Sequence, residues 1–291
     1  MRGVRGLLQS LGGYQPWSDI WARSGWMVQQ RHETNEVRVL DAQSRVVFTG
    51  DRSECVAYAF LEAPSLPSGP VVILLHGLGC GRLVMSRMES GLRNRGFSPV
   101  NVGYPSLRED VAYHAAAVES VALGLTASGA TEVHWVVHSL GGLVALAALS
   151  QAKGWKPGRC VLIGSPVQGA AFAGILDKLY FYEKLVGPCW QAVLPRTVKN
   201  LNASKTSLIV PGVSIGVIAG GNGRRGYNRL LEGDNDGTVR VEETRLPGME
   251  DDFLLIPALH SSLPMRTCVV NACANFLLSG RFGIDSNRLK A

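Results

Sequence analysis

The chain has 291 residues, 46% of them hydrophobic and 18% charged, with a net charge of +6. That length fits one large domain or two smaller ones, at roughly 100–200 residues each. The apolar fraction excludes a disordered chain, and no apolar run reaches the roughly 20 residues of a spanning helix. The arginines are scattered (Arg2, Arg5, Arg23, Arg31, Arg38, Arg45 and Arg52 in the first fifth) rather than gathered into a stripe. No nucleic-acid partner is therefore expected, although the positive charge leaves room for weak association with an anionic membrane surface.

The start, Met1–Leu11, has a basic flank but no continuous apolar stretch of the kind a secretory signal needs. The six cysteines (Cys55, Cys80, Cys160, Cys189, Cys268, Cys273) show no metal-ligand spacing. They read as thiols of a reducing compartment, so no metal, no cofactor and a cytoplasmic location are expected.

Residues 1–65 form a first unit. Glu36–Leu40 and Arg45–Thr49, separated by the turn-prone Asp41–Ser44, predict a hairpin. Asp51-Arg52-Ser53-Glu54 approaches a capping box and predicts a helix to about Glu62. The Pro/Ser-rich Ala63–Pro70 then reads as a loop.

From residue 66 to 291 the pattern is that of an α/β domain. Val71–Leu75 is a continuous apolar run, as in a strand buried on both faces. A helix follows over Leu83–Arg95, then a strand over Pro99–Val102 and a helix within 107–128. Val133–Val137 is a strand, Gly141–Lys153 a helix, and Cys160–Ile163, Val213–Ala219 and Phe253–Ile256 further strands. Met265–Leu277 closes the chain as a helix. Such alternation predicts a mostly parallel sheet with helices on both faces. Residues 170–212 break the rhythm and carry Phe172, Ile175, Leu179, Phe181 and Trp190. They read equally as packed helices or as a cap whose apolar side chains line an acyl pocket.

The chemistry concentrates at Val133–Gly142, a strand running into a helix with Ser139 at the junction. A serine at such a turn has its Oγ exposed at the sheet edge, and the next backbone N–H faces an incoming oxyanion. Val137 stands where the usual G-x-S-x-G motif has its first glycine. Upstream, His76-Gly77-Leu78-Gly79 ends the first α/β strand. Such a loop can aim the Leu78 N–H at the same point as that of Leu140, giving a two-donor oxyanion hole.

The serine needs a base and the base an orienting acid. His138 is too close to Ser139, His76 lies in the oxyanion loop, His134 is on a buried strand and His32 is in the first unit. His114 reads as a surface or packing residue of a helix. His260, between the last strand and last helix, remains. Between serine and histidine, Asp236 in Gly233–Val239 is the better acid and Asp234 the alternative.

The His-Gly-Leu loop, the His-Ser-Leu-Gly-Gly elbow, the Asn235-Asp236-Gly237 turn and Gly164–Gly169 together resemble the α/β-hydrolases of the lipase/esterase kind, particularly compact bacterial triacylglycerol lipases. The resemblance covers about Val71 to Phe282. It implies a triad of Ser139, Asp236 and His260, an oxyanion hole of the Leu78 and Leu140 amides, and carboxylic ester hydrolysis through an acyl-enzyme. A small-molecule or lipid ester is the implied partner. A thioesterase, acyltransferase or amidase could use the same triad, and a non-catalytic binding protein is the remaining alternative.

Overall fold

The computed structural model describes residues 15–66, 68–177, 187–195, 210, 212–246 and 248–283. Two sheets are present among them. The first is a four-stranded antiparallel meander, β1 (Trp17–Arg23), β2 (Trp26–Arg31), β3 (Val37–Leu40) and β4 (Val46–Gly50), paired in chain order. The expected hairpin is thus β3 and β4, and it is only half of the sheet. β1 and β2 lack an apolar alternation in the sequence, because their buried side chains include Ser18, Asp19, Arg23 and Gln29. Helix α1 (Arg52–Glu62) follows with the capping box in place. Asp51 Oδ1 accepts from the Glu54 N–H at 2.9 Å, and Glu54 Oε2 accepts from the Asp51 N–H at 2.9 Å.

The second sheet is six-stranded and parallel, ordered β10-β9-β8-β7-β5-β6. Its strands are β5 (Gly69–Leu75), β6 (Ser98–Val102), β7 (Ala130–His138), β8 (Pro157–Ile163), β9 (Ile215–Gly221) and β10 (Asp252–Pro257). The apolar run of β5 divides between two cores, as strand periodicity requires. Val71, Ile73 and Leu75 face one with α3 (Val111–Ala127) and α4 (Leu140–Ser150). Val72 and Leu74 face the other with α2 (Ser86–Arg93) and α6 (Thr267–Ser279). The helix expected over Leu83–Arg95 begins instead as a 3₁₀ turn, Arg82–Met85, before α2. A short helix α5 (Ala171–Leu176) opens the irregular segment.

The N-terminal sheet docks on α3. Trp21 is 2% exposed and lies so close to Gly124 that a Cβ there would sit 2.4 Å from the indole Cδ1. Among the described residues no helix is long and apolar enough to cross a membrane.

Chain order fixes where a site can form. From β5 the chain steps outward to β6, then returns to lay β7 on the other side of β5. Crevices of open α/β sheets form at such a reversal, beyond the carboxyl ends of the strands. Here those ends carry His76–Gly77 and Ser139.

Candidate active site

Ser139 joins β7 to α4 at φ 56°, ψ −122°, a backbone conformation costly for a non-glycine residue and found chiefly at functional sites. Its N–H donates to Ile163 O at 2.9 Å, and its carbonyl accepts from the Gly142 N–H at 2.9 Å. Both bonds hold the turn. Val137 does not loosen it, because its side chain is fully buried in the α3/α4 core. The close approaches fall one turn later. A Cβ on Gly141 would lie 2.8 Å from His76 O, and one on Gly142 would lie 2.2 Å from Ser165 Oγ.

His260 begins a 3₁₀ turn after β10. Its Nε2 is 2.9 Å from Ser139 Oγ and its Nδ1 is 2.6 Å from Asp236 Oδ2. Asp236 is 1% exposed. Its Oδ1 accepts from the N–H groups of Thr238 (3.0 Å) and Val239 (2.7 Å), and its carbonyl accepts from the His260 N–H at 2.9 Å. The carboxylate can therefore turn only Oδ2 toward the imidazole. The alternative acid, Asp234, points elsewhere and accepts from the N–H groups of Asn222, Gly223 and Asn235. Buried Asn235 fastens the loop, donating to Asn228 O and Gly233 O while accepting from the Asn228 and Gly237 N–H groups. Nothing in the periodicity marks Asn235; only the density of loop-forming residues in Gly233–Gly237 hints at it.

His138 has a role that sequence reasoning passed over. Its side chain leaves the elbow beneath His260, ring centroids 4.8 Å apart, with Nε2 3.1 Å from His260 O. Burial, and then the neighbouring His260, hold its pKa well below the usual histidine value. The neutral ring thus supports the His260 main chain without adding charge.

On the opposite side, residues 77–80 make a turn closed by the Cys80 N–H to Gly77 O at 3.3 Å, with Gly79 at φ +70°. A Cβ on Gly77 would come within 3.0 Å of Ser139 Cβ and 3.5 Å of its Oγ. Leu78 follows directly, and its N–H has no hydrogen-bond partner among the described residues. The Leu140 N–H opens α4, where a helix has no internal acceptor for it. His76 is fully buried with its pKa lowered to about 4 by burial. As a neutral ring it bonds Gly77 O through Nδ1 at 3.0 Å and stacks on Tyr104 at 4.3 Å.

The other histidines lie outside this cluster. His114 is buried against Tyr104 rather than on the surface, His134 bonds the Arg159 N–H, and His32 pairs with Glu109. Of the acyl-pocket candidates, Phe172 is half-buried and Ile175 exposed. Trp190 is packed in the main core with its indole N–H on Asp177, while Leu179 and Phe181 lie outside the described residues. All six cysteines carry free thiols. Among the described residues no group of three His, Cys, Asp or Glu side chains is arranged to hold a metal.

The profile of the Alpha/beta hydrolase family matches residues 72–265. The chain belongs to that family. Solved structures of similar fold include the mature Bacillus licheniformis lipase BlEst2, with a TM-score of 0.59, 17% identity, and coverage of 75% of this chain and 95% of that one. The Legionella pneumophila phospholipase PlaB aligns at 0.54 and 16% identity, over 76% of this chain and 62% of that chain. A metagenomic carboxyl esterase aligns at 0.51 and 18% identity, over 68% of each. At such identities the likeness is one of fold. No curated protein matches the chain. Family membership and these alpha/beta hydrolase neighbours support a hydrolase.

Proposed function

We propose that the protein is a serine hydrolase that cleaves carboxylic esters, with Ser139 as nucleophile, His260 as general base and Asp236 as its orienting acid. The observation that carries this reading is the unbroken relay Ser139 Oγ–His260–Asp236, at 2.9 and 2.6 Å. Asp236 keeps the His260 proton on Nδ1, so Nε2 takes the Ser139 proton as Oγ attacks the ester carbonyl. The Leu78 and Leu140 N–H groups receive the oxyanion; each such donor contributes about 3–4 kcal/mol in the transition state. His260 then returns the proton to the departing alkoxide. A water, deprotonated in turn by His260, hydrolyses the acyl-enzyme and restores Ser139.

The 170–212 segment is assigned to substrate binding as a cap. What supports this is its attachment beside the site. The Ala171 N–H donates at 2.7 Å to buried Glu243, on the 3₁₀ turn Val241–Thr244 that follows the Asp236 loop. A panel of p-nitrophenyl esters of rising chain length, with an acyl-CoA and an anilide alongside, tests both parts. Ester turnover abolished by Ser139→Ala supports the reading, and a preference for long chains supports the cap. Faster thioester or amide turnover would move the chain to the alternative reactions.

A further inference from the structure

The relay residues all belong to the parallel-sheet body, yet the loop opposite them is held from outside it. Asp19 lies on β1 at a register shift between Asp19 and Trp21, the kind of bulge by which a strand re-aims a side chain. Its carboxylate is completely buried. Oδ1 accepts from Gln29 Nε2 at 2.9 Å and from Arg82 Nη2 at 2.5 Å. Oδ2 accepts from Arg82 Nη2 at 2.5 Å and from the Gly103 N–H at 2.6 Å. The Asp19 N–H donates back to Gly103 O at 3.0 Å. Only Gln29 among these partners belongs to the N-terminal sheet.

The other two partners flank the candidate oxyanion loop. Arg82 opens the 3₁₀ turn that leaves it. Gly103 precedes Tyr104, whose hydroxyl donates to His76 O and whose N–H lies 3.5 Å from His76 Nε2. Two residues on, Ser106 Oγ accepts the Gly79 N–H at 3.0 Å. Leu78 is therefore bracketed, at His76 and at Gly79, by bonds to one segment, 104–106. That segment begins at the peptide Asp19 grips. Arg82 closes the unit, since a Cβ on Gly103 would sit 2.8 Å from its Nε. Burying a carboxylate is costly unless its partners are charged or well placed, and here they are both.

We propose that Asp19 is a positioning residue for the oxyanion side of the site. Through it the N-terminal sheet fixes Arg82 and the Gly103–Ser106 segment, and thereby the direction of the Leu78 N–H. The proposal rests on the reading of Ser139 as nucleophile and Leu78 as oxyanion donor. A displacement of about 1 Å in a reacting assembly costs on the order of a hundredfold in rate. An oxyanion donor acts on charge that develops only as the ester reacts, so the loss falls on the transition state.

The test uses the full chain, comparing wild type with Asp19→Asn on p-nitrophenyl butyrate and on a trifluoromethyl ketone of the same acyl length. The expected result is a kcat lowered about 10- to 100-fold, a KM within about threefold, and a ketone Ki raised in parallel with the loss in kcat/KM. The double variant Asp19→Asn/Arg82→Gln leaves no buried charge unpaired and should show the same split if the single variant folds poorly. Val39→Ala, in the apolar core of the same sheet, should lower Tm but leave kcat and Ki unchanged. Wild-type kcat and Ki in the Asp19 variants, or an equal kcat loss in Val39→Ala, would overturn the proposal. Ser139→Ala separates the two levels. If it is inactive while Asp19→Asn works normally, the positioning role alone fails; if it retains turnover, the underlying reading fails and the proposal with it.

Discussion

Replacing Asp236 by asparagine isolates the acid's role with little change of shape. Oδ1 is pinned by the Thr238 and Val239 N–H groups, so the asparagine amide must present its NH₂, not its oxygen, to His260. Nδ1 then becomes an acceptor and the ring proton moves to Nε2, the atom 2.9 Å from Ser139 Oγ. A protonated Nε2 cannot take the serine proton. The corresponding change in the best-studied serine triad lowers kcat about 10⁴-fold, roughly 5.5 kcal/mol of barrier. We expect a loss of that order in kcat on a p-nitrophenyl ester, with the melting transition little changed because the two backbone bonds survive. Asp234→Asn should stay within about threefold of wild type, since its bonds go to the Asn222–Gly223 turn and Asn235. A tenth or more of wild-type activity in Asp236→Asn, or the larger loss in Asp234→Asn, would refute this account of the acid.

Gly77→Ala places a methyl 3.0 Å from Ser139 Cβ and should cut kcat/KM at least tenfold while the protein stays folded, as steady-state kinetics with circular dichroism would show. In Gly124→Ala, helix propensity favours the variant by about 1 kcal/mol. Displacing Trp21 costs about 1–3 kcal/mol, so chemical denaturation should show a net loss of stability. Burial lowers His76 and His114 to about 4 and holds His138 well below its usual value. Below pH 6.5 the unfolded chain takes up protons that the folded chain refuses. Stability should thus be full above pH 6.5 and fall toward pH 4, by about 1 kcal/mol per pH unit for each histidine; a flat urea midpoint across that window would contradict the burial of these rings.

The sheet of the hydrolase body was legible because its central strands are buried on both faces, so Val71–Leu75 stands out as an unbroken apolar run and Val133–Val137 as one interrupted only by His134. The elbow was legible because strand, serine and glycines are contiguous. Val137 departs from the motif at a position where the motif has a glycine, whereas here Gly141 and Gly142 make the close approaches. The N-terminal sheet was half hidden. β1 buries Asp19 and Arg23 against partners distant in sequence, and a charge buried by tertiary contact looks like a surface charge in one dimension. The choice between Asp236 and Asp234 depended on loop geometry that local composition does not encode. His114 was ambiguous for the same reason: its burial comes from Tyr104 and α3 packing on the sheet, not from its own neighbours in the chain.

Covalent labelling shows which side chain is the nucleophile. The protein is treated with a fluorophosphonate, digested, and the modified peptide read by mass spectrometry. One adduct is expected, on Ser139, forming far more slowly in Asp236→Asn and lost in Ser139→Ala. An adduct on another residue, or a folded and unmodified protein, would contradict it.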